Sequence, residues 1–477
     1  MTFTRNQFTS LIGVILTFMS VIAFASPQVD NVKGAVCVIR SGDKVVMVNE
    51  ILTKKLSLPA GTVMQGEDPA ITAQRETWEE TGLVVSIVGE LGRTDEAIIY
   101  DCVCDSDIVA FQFNNNLDGN ELPVWFAPHY GVEIASAMLI DPSVVPLDSY
   151  RFPDQLEWLV QELPKATDQS VIYVGNLVEA APGINQLELD WMVNVQSAVH
   201  NLPTNLSFVV EQFIFAGGLF ASPLVLLIVL PLMYWKFGKQ FAYKAFFAIT
   251  VTSLLALVAQ QGFAHPRPHV YIPAVELAQT YGYSLPSLSM AIWLCIGILV
   301  LNALNRLSVN PWSIALLVAT AWLSLSKFYS GSAFLIDSVS GALLGALCAW
   351  HLIRLDVKPD VDLMQLLSSK AVWLLLVVIC TGLTFFWPIP AFTYWLATVI
   401  TVFALVSTLT NDESRASGRA VAIAGLLCLT SYFAWNELVE MLSDSGLWSL
   451  IGETFRYPVL IVLFTTVVRI SSKLNKQ

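Results

Sequence analysis

The sequence predicts a protein of two parts, an N-terminal α/β domain followed by an all-α, polytopic membrane domain of about nine helices. Of the 477 residues, 55% are hydrophobic and only 13% are charged, a composition typical of integral membrane proteins. The apolar residues are unevenly distributed. From about residue 210 onward, charge-poor stretches near the length of a bilayer follow one another, whereas residues 30–200 have an ordinary soluble composition.

The negative charge of the chain lies in its N-terminal part. Residues 26–210 contain about 26 acidic and about 9 basic side chains, so their net charge is near −17. A domain this acidic is repelled by nucleic acid and by anionic lipid surfaces. We therefore expect no nucleic-acid partner, and the excess of carboxylates fits a domain that binds divalent cations.

Residues 1–25 have the form of a secretory signal peptide. Arg5 precedes the apolar run LIGVILTFMSVIAF, and Ala23-Phe24-Ala25 matches an A-x-A cleavage site. A membrane anchor that is never cleaved is the alternative. Under either interpretation, the residues that follow are exported.

The seven cysteines divide between the two parts. Cys37, Cys102 and Cys104 lie in the exported part, where a disulfide is allowed, but their odd number leaves buried thiols as the alternative. The other four lie in apolar stretches and are expected to be inert packing residues: Cys295, Cys348, Cys380 and Cys428.

The distribution of basic residues predicts the orientation in the membrane. The expected spans are 213–235, 245–262, 285–304, 312–329, 334–353, 371–388, 391–409, 420–435 and 457–468. Every second loop is basic, and the basic residues are Lys236, Lys239, Lys244, Arg306, Arg354, Lys358, Arg415, Arg419, Arg469, Lys473 and Lys476. Under the positive-inside rule these loops and the C-terminus are cytoplasmic, so the N-terminal domain lies on the periplasmic side of a bacterial inner membrane.

A short acidic helix is predicted between Asp68 and Gly82. Asp68 is a helix N-cap followed by proline, and Gly82 is a helix stop, which leaves about thirteen helical residues. Glu76, Glu79 and Glu80 are spaced i, i+3, i+4, so their carboxylates repel one another on one face. A divalent cation such as Mg²⁺ relieves this repulsion and bridges carboxylates to phosphate oxygens.

Residues 61–83, GTVMQGEDPAITAQRETWEETGL, resemble the Nudix box, G-x5-E-x7-R-E-U-x-E-E-x-G-U. The matching positions are Gly61, Glu67, Arg75, Glu76, Glu79, Glu80, Gly82 and Leu83. Thr77 departs from the usual aliphatic residue. Strand-like runs flank the box, among them residues 34–50 around the turn at Gly42 and residues 108–113. The resemblance covers residues 30–165, and it implies a mixed sheet between helices, closed by a helix near 152–163.

The resemblance also implies a reaction, the hydrolysis of a diphosphate linked to another group, with Mg (or Mn) as cofactor. Glu79 and Glu80 would hold the metal, with Glu67 and the carbonyl of Gly61 as further metal-site residues. Glu76 would be the base or a further ligand, and Arg75 would orient the carboxylates. Glu133 is the candidate for a later catalytic acid, with an ordinary surface carboxylate as the alternative.

The membrane part resembles the type 2 phosphatidic acid phosphatase superfamily, whose motifs are K-x6-R-P, P-S-G-H and S-R-x5-H-x3-D. The corresponding segments here are QQGFAHPRP, PSLS and SKFYSGSAFLID. Gln260 takes the place of the lysine, Ser289 that of the acid–base histidine, and Ala333 that of the nucleophilic histidine. Alanine and serine cannot replace those imidazoles, so the domain is expected to be inactive as a phosphatase.

Charged and hydroxyl groups of the degenerate motifs remain. The predicted phosphate-binding residues are Arg267, Ser287, Ser289, Lys327 and Asp337. Since an unpaired carboxylate is costly near a membrane, Asp337 is expected to pair with Arg267 or Lys327. The alternative is that these charges only hold helices together.

The predicted organisation is a signal peptide at 1–25, a Nudix domain at 30–165, a linker and interface segment at 166–212, a degenerate phosphatase-like domain at 213–355, and additional helices at 368–477. The predicted function is hydrolysis of a nucleoside diphosphate derivative or a lipid diphosphate by a membrane-bound Nudix enzyme. The expected partners are that substrate and membrane lipids, and no protein partner is predicted. The alternatives are a non-catalytic scaffold that binds lipid phosphate and a bifunctional diphosphatase and lipid phosphatase.

Overall fold

The computed structural model describes residues 32–360, 362–409 and 417–474. The predicted signal peptide, Arg415 and Lys476 lie outside these residues. The described chain consists of a mixed α/β domain followed by a helical region, as the sequence predicts.

The N-terminal domain is built on one mixed sheet and one antiparallel sheet. The strands are β1 (Gly34–Val38), β2 (Arg40–Ser41), β3 (Lys44–Glu50), β4 (Leu56–Ser57), β5 (Ala60–Thr62), β6 (Val85–Arg93), β7 (Ala97–Cys104), β8 (Ile108–Phe111), β9 (Asn120–Glu121), β10 (Ile134–Ile140) and β11 (Val171–Val174). One sheet has the order β5-β1-β7-β6, in which β1 runs parallel to β7. The other has the order β2-β3-β10-β9, with β4 also paired to β3. The predicted turn between two strands lies at Gly42, whose φ of 59° suits glycine.

Helix α1 (Pro69–Thr81) begins and ends where the sequence predicts. The Asp68 carboxylate accepts a hydrogen bond from the Ala70 N–H at 2.9 Å, and Pro69 lies in the first turn. Gly82 ends the helix in the left-handed region, with φ at 73°, and donates its N–H to the Trp78 carbonyl. The helix packs across β1, β5 and β6, so its acidic face is held at one edge of the first sheet.

Two apolar clusters fill the domain, and a disulfide joins its central strands. One cluster contains Ile39, Val46 and Leu139, and the other contains Val38, Met47 and Ile140. Cys37 on β1 and Cys102 on β7 form the disulfide, whereas Cys104 is free. The buried-thiol alternative is therefore wrong for two of the three cysteines of this domain, because the parallel pairing of β1 with β7 brings these two side chains together.

The segment predicted as a linker, 166–212, is folded. Helix α2 (Pro153–Glu162) closes the α/β domain as expected. After it, β11 pairs in parallel with β8, and helix α3 (Gly183–His200) buries Leu189 and Met192 against the helical region. The sequence prediction did not include these short elements, because the contacts that stabilise them come from distant parts of the chain.

The helical region comprises α4 (Thr204–Gly218), α5 (Pro223–Phe237), α6 (Lys239–Phe263), α7 (Leu288–Ala303), α8 (Pro311–Tyr329), α9 (Leu335–Asp356), α10 (Leu363–Leu367), α11 (Lys370–Phe386), α12 (Pro390–Thr408), α13 (Gly418–Met441) and α14 (Gly446–Leu474). Seven helices of the described residues are long and apolar enough to cross a membrane: those at Thr204–Ala221, Lys239–Phe263, Pro311–Tyr329, Leu335–Asp356, Pro390–Thr408, Gly418–Met441 and Gly446–Ser471. Helices α5, α7 and α11 are apolar and shorter.

The predicted span 213–235 is two helices in the structure. Ser222 caps a new helix by accepting the Leu224 N–H, and Pro223 occupies its first turn, so α4 and α5 are separated. The last span, predicted at 457–468, is much longer than expected, because α14 begins at Gly446.

The α/β domain rests on one end of the helical bundle. Tyr130 packs edge to face against Tyr283 with ring centroids 5.9 Å apart, and the backbones of Gly131 and Gly282 touch. Lys55 forms an ion pair of 2.5 Å with Asp444, between α13 and α14. These contacts place the loop 264–287 and the α13–α14 turn directly beneath the α/β domain.

Candidate functional site

The acidic face of α1 forms a compact cluster around Arg75. The Arg75 Nη1 lies 2.8 Å from both Glu76 Oε1 and Glu79 Oε2. Its Nε and Nη2 donate to the two oxygens of Glu67 at 3.0 and 3.3 Å. One guanidinium therefore contacts three of the predicted site carboxylates.

Glu67 is engaged with Arg75 and does not join the other carboxylates. The hydrogen bond from Arg75 lowers the pKa of Glu67 to about 2, and the pairing raises the pKa of Arg75. Both groups therefore stay ionised at neutral pH. The role of Glu67 as a metal-site residue stays a prediction, because its carboxylate is bound by Arg75 and by the Met64 N–H.

Glu80 is a buried carboxylate without a cationic partner among the described residues. Its side chain accepts the Ala60 N–H at 3.1 Å, and the residue is 5% exposed. Burial raises the pKa of Glu80 well above its usual value, and the nearby charges of Glu50, Glu133 and Glu76 raise it further. A buried carboxylate among other carboxylates is costly unless a cation neutralises it.

Gly61 lies in β5, directly against the Glu76 side chain. A Cβ atom at this position would overlap the Cγ, Cδ and Oε1 atoms of Glu76. Glu76 is itself 8% exposed, and burial raises its pKa. The absence of a side chain at position 61 thus makes room for the Glu76 carboxylate.

His129 brings a nitrogen ligand to this cluster. Its Nε2 lies 3.8 Å from Glu79 Oε2, and its Nδ1 lies 3.4 Å from Glu133 Oε2. The contact with Glu133 raises the pKa of His129 and lowers that of Glu133. Ligand atoms of Glu76, Glu79 and His129 all lie within 4.8 Å of one another.

The sequence prediction selected Glu133 but missed His129. The i, i+4 spacing of these two residues, in a chain with only five histidines, was the available signal. It was weak because nothing in the sequence indicates that the turn 129–133 folds back against α1. In the structure, the His129 N–H donates to the Glu79 carbonyl at 2.7 Å and fixes that approach.

The donor set fits a divalent cation. Carboxylate oxygens and an imidazole nitrogen are ligands of Mg²⁺, Mn²⁺ and similar metals. The buried Glu80 carboxylate, surrounded by the charges of other acids, lacks the neutralisation that such a cation supplies. The acidic cluster is therefore a possible metal-binding site.

The residues of the degenerate phosphatase-like motifs are brought together only in part. Lys327 Nζ donates to Ser287 Oγ at 2.7 Å and to Ser289 Oγ at 3.2 Å. Arg267 donates to three backbone carbonyls, those of Tyr281, Ser332 and Tyr283, at 2.9, 2.5 and 3.2 Å. Its guanidinium therefore holds loops together.

The expected ion pair of Asp337 is absent from the part of the chain that the structure describes. Asp337 Oδ2 accepts the Phe334 N–H at 2.8 Å at the start of α9, and Oδ1 is buried without a hydrogen-bond partner. The prediction of a partner in Arg267 or Lys327 is wrong, because those cations are turned toward carbonyls and serine hydroxyls.

Glu188 of α3 occupies the N-terminus of α9, beside this site. Its carboxylate accepts the N–H groups of Leu335 and Ile336 at 2.6 and 3.3 Å. The helix dipole and the unpaired N–H groups make such a position favourable for an anion. The sequence prediction did not select Glu188, since its partners are about 147 residues away.

Glu276 lies in the loop beneath the α/β domain, and its raised pKa is expected to make the stability of the protein depend on pH. Burial raises the pKa of Glu276 from 4.5 to about 7. The negative charge of Glu121 raises this pKa further, and the positive charge of Arg267 lowers it. His269 Nδ1 lies 3.8 Å from Glu276 Oε1. Because the folded carboxyl keeps its proton to higher pH than the unfolded one, stability falls between about pH 4.5 and 7. We expect Glu276→Gln to reduce this fall and to raise the melting temperature at about pH 8.

The measurement is thermal unfolding of the purified protein at about pH 5 and about pH 8. The glutamine amide introduced by Glu276→Gln would keep an acceptor for the Thr280 N–H, which lies 3.0 Å from Glu276 Oε1. The exposed Glu157 provides the control Glu157→Gln. An equal loss of stability with pH in Glu276→Gln and wild type would contradict the prediction.

Comparisons with known proteins agree with the geometry of the α/β domain. Residues 30–157 match the family model described as NUDIX domain. No curated protein sequence matches the chain.

Three solved structures show local likeness to the chain. LpxE from Aquifex aeolicus is 20% identical, with 34% of this chain and 94% of that chain covered and a TM-score of 0.29. An ADP-ribose pyrophosphatase from Streptococcus suis 89-1591 is 16% identical, with 30% and 97% covered and a TM-score of 0.21. A NUDIX hydrolase from Nitrosomonas europaea is 17% identical, with 31% and 82% covered and a TM-score of 0.21.

These low identities and TM-scores carry no argument about the substrate. The family model covers the strands, the acidic helix and the turn at His129, which are the elements that build the site. Residues 30–157 of this chain are therefore a Nudix domain, and the hydrolysis of pyrophosphate bonds is the chemistry that this domain supports.

Proposed function

We propose that the protein is a membrane-bound, divalent-metal-dependent hydrolase that cleaves the diphosphate linkage of a lipid-linked or nucleotide-linked substrate. The observation that carries the proposal is the convergence of Glu76, Glu79 and His129 within 4.8 Å of one another, next to the buried Glu80. These are side chains of α1 and of the turn 129–133, so the site depends on the intact tertiary fold.

The residues divide into those that would hold the metal and those that position them. Glu79 and Glu80 would bind Mg or Mn, with Glu76, His129 and the Gly61 carbonyl beside them. A bound divalent metal lowers the pKa of a water molecule and neutralises charge on a diphosphate. Arg75 holds Glu76 and Glu79 at 2.8 Å each, which supports its predicted orienting role.

We infer that Glu133 takes part in proton transfer. Its side chain is 55% exposed, and it lies 3.4 Å from His129 Nδ1, at the rim of the cluster. The contact with His129 lowers the pKa of Glu133, so it is ionised at neutral pH and able to accept a proton. Glu76 is the second candidate base, because its pKa is raised by burial.

The position of the site favours a substrate that is carried by the membrane. Val132, three residues after His129, packs against the apolar cluster that contains Ile389 and Phe392 at the end of α12. A lipid diphosphate in the membrane would expose its headgroup near this contact between the Nudix domain and the helices. We therefore infer that the Nudix domain acts at the outer face of a bacterial inner membrane, anchored by the helices from Thr204 onward. The Cys37–Cys102 disulfide supports export to an oxidising compartment.

The two alternatives receive less support. A scaffold that binds lipid phosphate at Lys327, Ser287 and Ser289 would have to do so without Arg267, whose donors are bound to carbonyls. A bifunctional enzyme would need a nucleophile in the phosphatase-like domain, and Ala333 provides none. The proposal therefore assigns the chemistry to the Nudix domain alone.

The test is hydrolysis by the full-length protein in detergent, after metal is removed with a chelator and after Mg²⁺ or Mn²⁺ is restored. The substrates are nucleoside diphosphate derivatives and prenyl or glycerolipid diphosphates. We expect no turnover without metal, full recovery with it, and preference for one substrate class, because the carboxylates need a cation to hold a diphosphate. Absence of turnover of every diphosphate, with metal present and the protein folded, would overturn the proposal.

A further inference from the structure

The hairpin formed by α13 and α14 reaches the edge of the Nudix site. At its turn, Asp444 pairs with Lys55, and a Cβ atom at Gly446 would lie 3.6 Å from the Nη2 of Arg151. Arg151 in turn binds Glu50 at 2.8 Å, and the charge of Glu50 acts on the buried Glu80. The turn between the last two helices therefore contacts residues that interact with the acidic cluster.

Helix α14 carries a nearly buried arginine, Arg456. Arg456 Nη2 is 2.8 Å from Glu453 Oε1, and their side chains are only 11% and 15% exposed. The guanidinium carbon of Arg456 lies over the ring of Tyr432, 5.3 Å from the ring centroid. Its Nε is buried without a hydrogen-bond partner in the described structure.

Electrostatic interactions and one hydrogen bond link further phenol groups to the same arginine. Tyr394 interacts electrostatically with Arg456, Glu453, Tyr281 and Tyr457, and Tyr457 interacts with Arg456 in the same way. These residues come from α12, α14 and the loop 264–287, so three separate segments contribute to this interacting group. We call Arg456, Tyr281, Tyr394, Tyr432 and Tyr457 the arginine–tyrosine cluster.

The cluster is continuous with the underside of the Nudix site. Tyr281 precedes Gly282, whose backbone touches that of Gly131. Gly131 lies between His129 and Glu133, which both line the acidic cluster. A molecule in contact with the arginine–tyrosine cluster is therefore separated from the proposed metal site by this pair of glycines and the turn around them.

A structural ion pair alone explains the cluster incompletely. Placing a guanidinium among apolar helices is costly, and the contacts with Glu453 and Tyr457 do not occupy all five of its donors. The unpaired Nε and the phenol hydroxyls are donors, and arginine with hydroxyl donors is a common arrangement for phosphate oxygens. The exposed apolar side chains of Phe433 and Val459 on the same two helices provide a surface for a hydrocarbon chain.

We propose that the arginine–tyrosine cluster binds a phosphate group of a membrane lipid and thereby selects lipid-linked diphosphates for the Nudix site. This inference rests on the proposed function and names its substrate class. It also gives the helices after residue 368 a role, since α12 and α14 carry three of the five residues. A soluble diphosphate would reach the metal site without touching the cluster.

The first test is binding, measured without catalysis. The full-length Glu79→Gln/Glu80→Gln protein in nanodiscs is titrated with a prenyl diphosphate or a glycerolipid diphosphate, with and without Arg456→Gln. We expect Arg456→Gln to weaken lipid binding by roughly tenfold or more, because a charge-assisted hydrogen bond is lost. Inorganic diphosphate is expected to bind much more weakly than the lipid. Equal binding of the lipid with and without Arg456, or equal affinity for inorganic diphosphate and lipid, would overturn the proposal.

The second test separates substrate selection from a merely structural role. In the catalytically intact protein, Arg456→Gln is expected to raise the KM for the lipid diphosphate by roughly tenfold and to leave the KM for a soluble diphosphate unchanged. Arg306→Gln is the control, since Arg306 also lies over an aromatic ring, that of Trp312, at 5.2 Å, but in the loop between α7 and α8. An equal change of KM for both substrate classes would show that Arg456 is only structural.

A second, more conservative variant is needed in case Arg456→Gln does not fold. Tyr394→Phe removes one hydroxyl and retains the ring. It is expected to raise the KM for the lipid diphosphate several-fold, less than Arg456→Gln does, and to leave the KM for a soluble diphosphate unchanged. If no diphosphate is hydrolysed but Arg456→Gln still weakens lipid binding, the cluster is supported and the proposed function fails. The two inferences can thus be distinguished.

Discussion

Replacement of Glu79 and Glu80 by glutamine is expected to abolish diphosphate hydrolysis and to leave the protein folded. Glutamine preserves the shape of both side chains and removes the two negative charges that the metal requires. The loss should reach at least about 10³-fold in kcat/KM, because metal and oriented water together supply most of the catalysis. The measurement is Mg²⁺-dependent turnover of the preferred diphosphate by the double variant.

The same variant has a second expected property, a higher thermal stability without metal. Glu80 is a buried carboxylate whose pKa is raised by burial and by three neighbouring acids, so its ionised form destabilises the metal-free fold. A glutamine at this position would still accept the Ala60 N–H, which lies 3.1 Å from Glu80 Oε2. We therefore expect a raised melting temperature in the presence of chelator and little further increase on addition of Mg²⁺, whereas wild type should be stabilised by Mg²⁺.

The control is Glu157→Gln, which changes an exposed glutamate on α2, in the same domain and away from the cluster. It should behave like wild type in both measurements. Turnover by Glu79→Gln/Glu80→Gln at the wild-type rate would exclude the acidic cluster as the catalytic site. A wild-type response of the melting temperature to Mg²⁺ in that variant would exclude it as the metal site.

Alanine at position 61 is expected to cause the second-largest loss of activity. The new Cβ would overlap the Cγ, Cδ and Oε1 atoms of Glu76, so that carboxylate must leave its place beside Arg75. A displacement of about 1 Å at a catalytic group typically costs on the order of 10²-fold in rate. The fold should survive, since the overlap is with a side chain and position 61 does not need a left-handed backbone.

Gly89→Ala is the matched control, because Gly89 lies in β6 of the same sheet and a Cβ there would meet no atom within 4 Å. The measurement is the kcat for the preferred diphosphate, together with the melting temperature of both variants. We expect similar melting temperatures and a loss of kcat in Gly61→Ala alone. Full activity of Gly61→Ala would show that the position of the Glu76 carboxylate does not matter for the reaction.

The sequence alone was sufficient for features that depend on neighbouring residues. Helix α1 begins at Asp68-Pro69 and ends at Gly82 because capping and left-handed termination are local interactions. The proximity of Glu76 and Glu79 follows from helical periodicity, which places residues i and i+3 on one face. The division into an acidic α/β domain and an apolar helical region likewise follows from composition, since burial in lipid demands long apolar runs.

Tertiary structure decided the features that join distant segments. His129 reaches Glu79 only because the turn 129–133 folds against α1, and Cys37 pairs with Cys102 only because β1 lies next to β7. The sequence suggested Arg267 as a phosphate ligand, but its donors are bound to the carbonyls of two loops. The physical reason is common to these cases: a side chain's partner is chosen by long-range packing, which local periodicity and motif spacing do not encode.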